Sequence, residues 1–160
     1  MSGKLFAVAI VVVLAGAGGV AQDGEKAKQE HILVSPDDVK WGDAPAMLPA
    51  GAKAALLEGD PKKEGYFCMR LKLPAGYKLP AHNHPANERV TVISGKFHVG
   101  FGDKFDEAKL KAFSPGSYLS FTPKSNHFAM ASEETVVQLT TIGPWGLTYV
   151  NPDDDPSKKK

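Results

Sequence analysis

Glycine and proline cut the chain from Ala54 to Val150 into short runs, and no long pattern of helical spacing crosses them. Ala54–Leu57 ends at Gly59-Asp60-Pro61. Tyr66–Leu73 alternates, with Phe67, Met69 and Leu71 on one face and Tyr66, Cys68, Arg70 and Lys72 on the other. Lys96–Phe101 places Phe97, Val99 and Phe101 together. Lys109–Phe113, Tyr118–Thr122, His127–Ser132, Thr135–Thr141 and Leu147–Val150 follow, with Asp103–Glu107 as a charged loop and Ser114-Pro115-Gly116 as a turn. So many short strands between turns predict an all-β sandwich or barrel. At 160 residues the chain holds one domain.

One segment adds chemistry to that pattern. From Gly76 to Gly95 the sequence reads GYKLPAHNHPANERVTVISG. His82 and His84 are two residues apart, so in an extended strand they share a face. Pro85-Ala86-Asn87 then bends the chain, and Glu88 can return a carboxylate to that face before the β-branched run Arg89–Ile93. Two imidazoles and a carboxylate so arranged are ligands for a first-row transition metal.

This spacing resembles the first cupin motif, G-x5-H-x-H-x3-E-x6-G, and Gly76, His82, His84, Glu88 and Gly95 all fall on it. The second cupin motif, usually G-x5-P-x-G-x2-H-x3-N, has its counterpart from Gly116 to Ala131. Gly116 and His127 keep the separation, while Pro123 stands one place late, Lys124 replaces the turn glycine and Ala131 replaces the asparagine. The resemblance spans Lys53 to about Val150. It implies a double-stranded β-helix, the cupin jelly-roll barrel, over residues 45–150 with a short N-terminal arm. It also implies one divalent transition metal (Mn, Fe, Co, Ni, Cu or Zn) held by His82, His84, Glu88 and His127 in a site left open to water or substrate. Cupins with these ligands include dioxygenases, decarboxylases and isomerases. The implied activity is that of a metal-dependent oxidoreductase of the dioxygenase type, with a small organic acid or enol as substrate. Other cupins bind a metal or small ligand without turning it over, and a binding module is the alternative.

Within such a barrel Val90 and Val92 share the parity of Glu88, and Ala129 and Ala131 that of His127, so the wall beside the metal is apolar with small residues at one side. Arg70 is the candidate counter-charge for an anionic substrate, and Tyr118 or Gln138 could orient it. Surface or rim polarity is the bland alternative for these three. His31 and His98 match no ligand position and are assigned to solvent or packing.

The ends differ from the middle. Lys4, the apolar run Leu5–Leu14 and the small residues Gly19-Val20-Ala21 form the pattern of a signal peptide over residues 1–21, cleaved near Ala21. The run is short for a membrane anchor and is diluted by Gly16, Gly18 and Gly19. An exported protein, periplasmic or secreted and without a stable anchor, is expected. Residues 22–44 read as a leader with one helical turn, Ser35 capping and Pro36 within it, and with Trp41 folded back onto the barrel. Pro45–Gly51 reads as an extended arm that could cross to a partner in the homodimer the resemblance implies. Residues 151–160 read as a disordered polar tail.

Of nineteen basic residues, loss of Lys4 leaves eighteen against eighteen acidic ones. With no basic stripe interleaved with aromatics, nucleic acid is not an expected partner, and a small-molecule ligand is. Cys68 is alone, cannot form an internal disulfide, and reads as a small buried hydrophobe.

Overall fold

Eleven strands run through the residues that the computed structural model describes, 31–159. The predicted signal segment and residues 22–30 of the leader lie outside the described residues. The strands are β1 (Gly42–Asp43), β2 (Lys53–Glu58), β3 (Gly65–Leu73), β4 (Tyr77–Asn83), β5 (Glu88–Ser94) and β6 (Phe97–Phe101). They continue with β7 (Lys111–Phe113), β8 (Tyr118–Phe121), β9 (His127–Ala131), β10 (Thr135–Gly143) and β11 (Thr148–Tyr149). Six of them form one sheet in the order β1-β2-β3-β10-β5-β8 and five form the other, β11-β4-β9-β6-β7. This is an all-β jelly roll, within the sandwich-or-barrel class the strand pattern predicted and of the form the cupin resemblance implied.

Alternation decides what lies between the sheets. Phe67, Met69 and Leu71 of β3, with Val137 and Leu139 of β10, meet Phe97 and Val99 of β6 and Ala129 and Ala131 of β9 in one buried core. Their neighbours along each strand point outward. Cys68 and Phe128 are exceptions: Cys68 lies on the outer face, between Glu58 and Thr140 in the ladders, and both are nonetheless buried. Burial raises the Cys68 thiol pKa.

Several local expectations change. The arm is a turn, not a free extension: the Leu48 amide donates to the Pro45 carbonyl, and Leu48 is buried in the barrel. Tyr149 Oη donates to the Met47 carbonyl at 2.7 Å and Tyr77 Oη to the Pro49 carbonyl at 3.0 Å. The segment is therefore strapped to its own barrel rather than extended away from it. The tail expected as disordered carries two 3-10 turns, Pro152–Asp154 and Pro156–Lys158. Asn151 and Asp155 cap them by accepting from the amides of Asp153 and Ser157. Lys109 falls in another 3-10 turn, Glu107–Lys109, capped by Asp106, so β7 begins later than its apolar run suggests. Pro36 opens a 3-10 turn as predicted, although Ser35 makes no side-chain cap bond. Trp41 does fold back, with the Lys72 ammonium 4.6 Å from its ring centre.

Candidate metal centre

The strand carrying the first two histidines slips its register one residue before they appear. On β4, Tyr77 pairs with Ala131 and Leu79 with Ala129, but His82 pairs with His127. Three steps along β4 thus match two along β9, a bulge at Pro80-Ala81. Proline has no ladder hydrogen bond to lose there. The slip exchanges faces: Tyr77 and Leu79 point inward before it, and His82 and His84 point inward after it. The same inward face therefore carries odd-numbered residues first and even-numbered ones afterwards.

His82, His84 and His127 each bring a ring nitrogen to within 4.8 Å of the other two. All three are buried, at 2 %, 4 % and 3 % exposure. Glu88, the first residue of β5, comes from the opposing sheet and is buried too, with its Oε2 3.2 Å from His84 Nε2. The site therefore lies between the sheets, where water is scarce. Each imidazole is oriented by a backbone carbonyl: His82 Nδ1 donates to Pro80 O at 2.8 Å, His84 Nδ1 to Gly146 O at 2.8 Å, and His127 Nδ1 to Ser125 O at 2.9 Å. A carbonyl can only accept, so each Nδ1 bears the proton and each Nε2 keeps a lone pair when the ring is neutral.

Electrostatics favours the neutral form of two of the rings, His82 and His127. Burial, then the nearby His127 and His84, push the His82 pKa well below the ordinary 6.5, against the Pro80 hydrogen bond. Burial and His84 bring His127 down to about 4, the Ser125 carbonyl opposing. One atom is then left with no hydrogen-bond partner among the described residues, the buried Nε2 of His84. It faces the Glu88 Oε2 at 3.2 Å in a buried site. The three imidazoles together could hold a divalent transition metal, while Glu88 stands outside that group of three and comes close to His84.

The surroundings tighten the arrangement. Phe121 stacks on His127 at 4.2 Å between ring centres and 7° between planes. Trp145 lies nearly parallel to His84, at 6.1 Å and 14°, and its Nε1–H donates to Glu88 Oε1 at 2.9 Å. The sequence reading missed Trp145. Its only local signal was a lone indole straight after Gly143-Pro144, in a segment read merely as a strand break. A cavity of about 40 Å³ adjoins the ligands, walled by Leu48, Leu79, Val90, Phe121, Ala129 and Trp145 among others. On the scale of roughly 15 Å³ per water it holds about three waters.

Arg70 does not reach this chamber. It alternates with the inward Met69 and Leu71, so it points to the outer face of the sheet, where its Nε donates to Gln138 Oε1 at 3.1 Å. The two candidates for substrate contact thus satisfy each other outside the barrel. Tyr118 is 62 % exposed on the same outer face and is likewise excluded from the chamber. His98 Nε2 lies 3.0 Å from Ser132 Oγ at the surface, and His31 is exposed, as assigned. The substituted second-motif turn is kept: Lys124 takes φ +60°, and its amide donates to the His84 carbonyl at 2.9 Å.

Residues 21–145 match a family model described as a domain of unknown function, DUF4437. A search of curated proteins finds no match. Among solved structures, the polyketide cyclase RemF from Streptomyces resistomycificus is similar with a TM-score of 0.66 and 14% identity, over 81% of this chain and 92% of that one. An acetylacetone dioxygenase from Acinetobacter johnsonii is similar with a TM-score of 0.59 and 17% identity, over 81% and 83%. An RmlC-like cupin from Shewanella frigidimarina is similar with a TM-score of 0.54 and 17% identity, over 72% and 94%. At these identities the likeness establishes the fold.

Proposed function

The chain belongs to the DUF4437 family and is a cupin, and from that premise we propose that it is a metal-dependent oxidoreductase of the dioxygenase type acting on a small enol. The observation that carries this reading is the cluster of three buried imidazoles, with His84 Nε2 buried without a hydrogen-bond partner and facing Glu88 Oε2. His82, His84, His127 and Glu88 would hold the ion. When bound, the metal supplies Lewis-acid and redox chemistry that no side chain of the chamber has. The chain's own part is to orient three imidazoles through carbonyls, contribute a single negative charge and exclude bulk water with apolar walls.

Between an acid and an enol, the chamber favours the enol. Arg70, the one candidate counter-charge, is outside, and among the described residues no lysine or arginine lines the cavity. A free carboxylate would find only the ion's residual positive charge beside Glu88, with no side-chain cation to hold it in place. The acetylacetone dioxygenase with the same fold fits a small enolisable dicarbonyl as the substrate class. We also propose export, on the strength of Leu5–Leu14 and Gly19-Val20-Ala21.

A non-catalytic ligand-binding module is the second reading, and one feature favours it. The polar groups nearest the chamber are already engaged: Trp145 Nε1–H on Glu88, and the Tyr77 and Tyr149 hydroxyls on the strap. No free general acid or base is left among them. Metal analysis of protein purified from its own compartment, then reloading with single divalent metals and oxygen-electrode assays on small β-dicarbonyls and organic acids, separates the two. Oxygen uptake tied to loss of a dicarbonyl supports the enzyme. Tight binding with substrate and dioxygen unconsumed leaves the binding module.

A further inference from the structure

Resting on the metal reading above, we propose that Trp145 is a positioning residue that makes Glu88 a one-oxygen ligand. A carboxylate at the start of a strand can turn about its side-chain bonds and offer a metal either one oxygen or both. Here Oε1 accepts the indole Nε1–H at 2.9 Å, while Oε2 stands 3.2 Å from His84 Nε2. The hydrogen bond engages Oε1 and leaves Oε2 toward His84. A single oxygen with three imidazoles keeps the coordination number low and leaves positions on the ion for other ligands.

Trp145 is itself held by its backbone and lies beside a ligand ring. Its amide donates to the Pro61 carbonyl at 2.7 Å, and its ring lies 14° from the plane of His84. The next residue, Gly146, gives the carbonyl that His84 Nδ1 donates to at 2.8 Å. Two consecutive residues of one loop thus orient two ligands from different sheets. Removing the indole N–H while keeping an aromatic ring should free the carboxylate without emptying the space.

The test uses the full chain loaded with Co²⁺, whose visible absorption weakens as its coordination number rises. Trp145→Phe is expected to bind Co²⁺ about tenfold more weakly than wild type, in the range of outer ligand contacts. Its visible bands should lose intensity as the second oxygen of Glu88 reaches the metal. Equal affinity and an unchanged spectrum would overturn the proposal, as would a drop in thermal stability with the spectrum unaltered, which marks a packing role only. Wild type that takes up no Co²⁺ overturns the metal reading itself, and this proposal with it. Should Trp145→Phe fail to fold, Trp41→Phe leaves Trp145 as the only indole in the chain. Slow hydrogen exchange of its Nε1–H in the Zn²⁺-loaded form then supports the clamp, and exchange at the rate of free indole overturns it.

Discussion

The two motif segments that deliver the ligands are built on different terms. The first closes at Gly95, with φ +76°, where an added Cβ would lie 2.3 Å from the Glu134 carbonyl oxygen and 2.7 Å from Thr135 Cα. Backbone stands on the far side, so nothing can give way. The second opens at Gly116, with φ +87° and no atom within 4 Å of a would-be Cβ, and it turns at Lys124 with φ +60° and no glycine at all. His127 still meets His82 in register, and its Nδ1 is still fixed by a carbonyl. Ligand placement in the second segment therefore depends on strand pairing and carbonyl acceptors. A glycine is obligatory only where a side chain has no room.

That contrast gives graded expectations, all measurable by urea denaturation of the full chain. Gly95→Ala should cost about 3 kcal/mol or more, because left-handed backbone strain adds to unrelievable overlap. A loss near 1 kcal/mol would mean that the β5–β6 turn can shift and would erase the difference between the segments. Gly116→Ala should cost about 1 kcal/mol, the conformational strain alone. A larger loss would reveal a steric demand like that at Gly95. Lys124→Gly should stabilise by about 0.5 kcal/mol, relief of strain outweighing the greater freedom of unfolded glycine. Zn²⁺ affinity by competition titration should stay the same in that variant. A fall in affinity would show that the lysine side chain, and not only its backbone, supports His84.

Much of this was legible in one dimension. The alternation of Phe67, Met69 and Leu71 against Arg70 and Lys72 appears as written, because strand faces follow a period of two whatever surrounds them. The same rule already excludes Arg70 from the chamber: parity sets it apart from the core residues of β3, on the face turned away from the metal ligands, so it cannot serve a substrate there. Lys109 and the tail turns were misread because a three-residue 3-10 turn has too few positions to show a period, and its Asp or Asn cap is also an ordinary loop residue. Proline and glycine around Leu48 argue against a helix or strand but do not tell what the segment rests on, so its burial in the barrel is visible only in the fold.

The sequence by itself determined which side chains could bind a metal, and that His82 and His84 face the same way, since both follow from residue type and spacing over three positions. Which way they face was decided by the bulge at Pro80-Ala81, visible only against the partner strand β9. The same holds for the contacts that turn four side chains into a site. Trp145 reaches Glu88 across 57 residues, and Gly146 reaches His84 across 62. No local pattern encodes such pairs; they exist because burying both apolar sheet faces against each other brings the loop after β10 over the ends of β4 and β5.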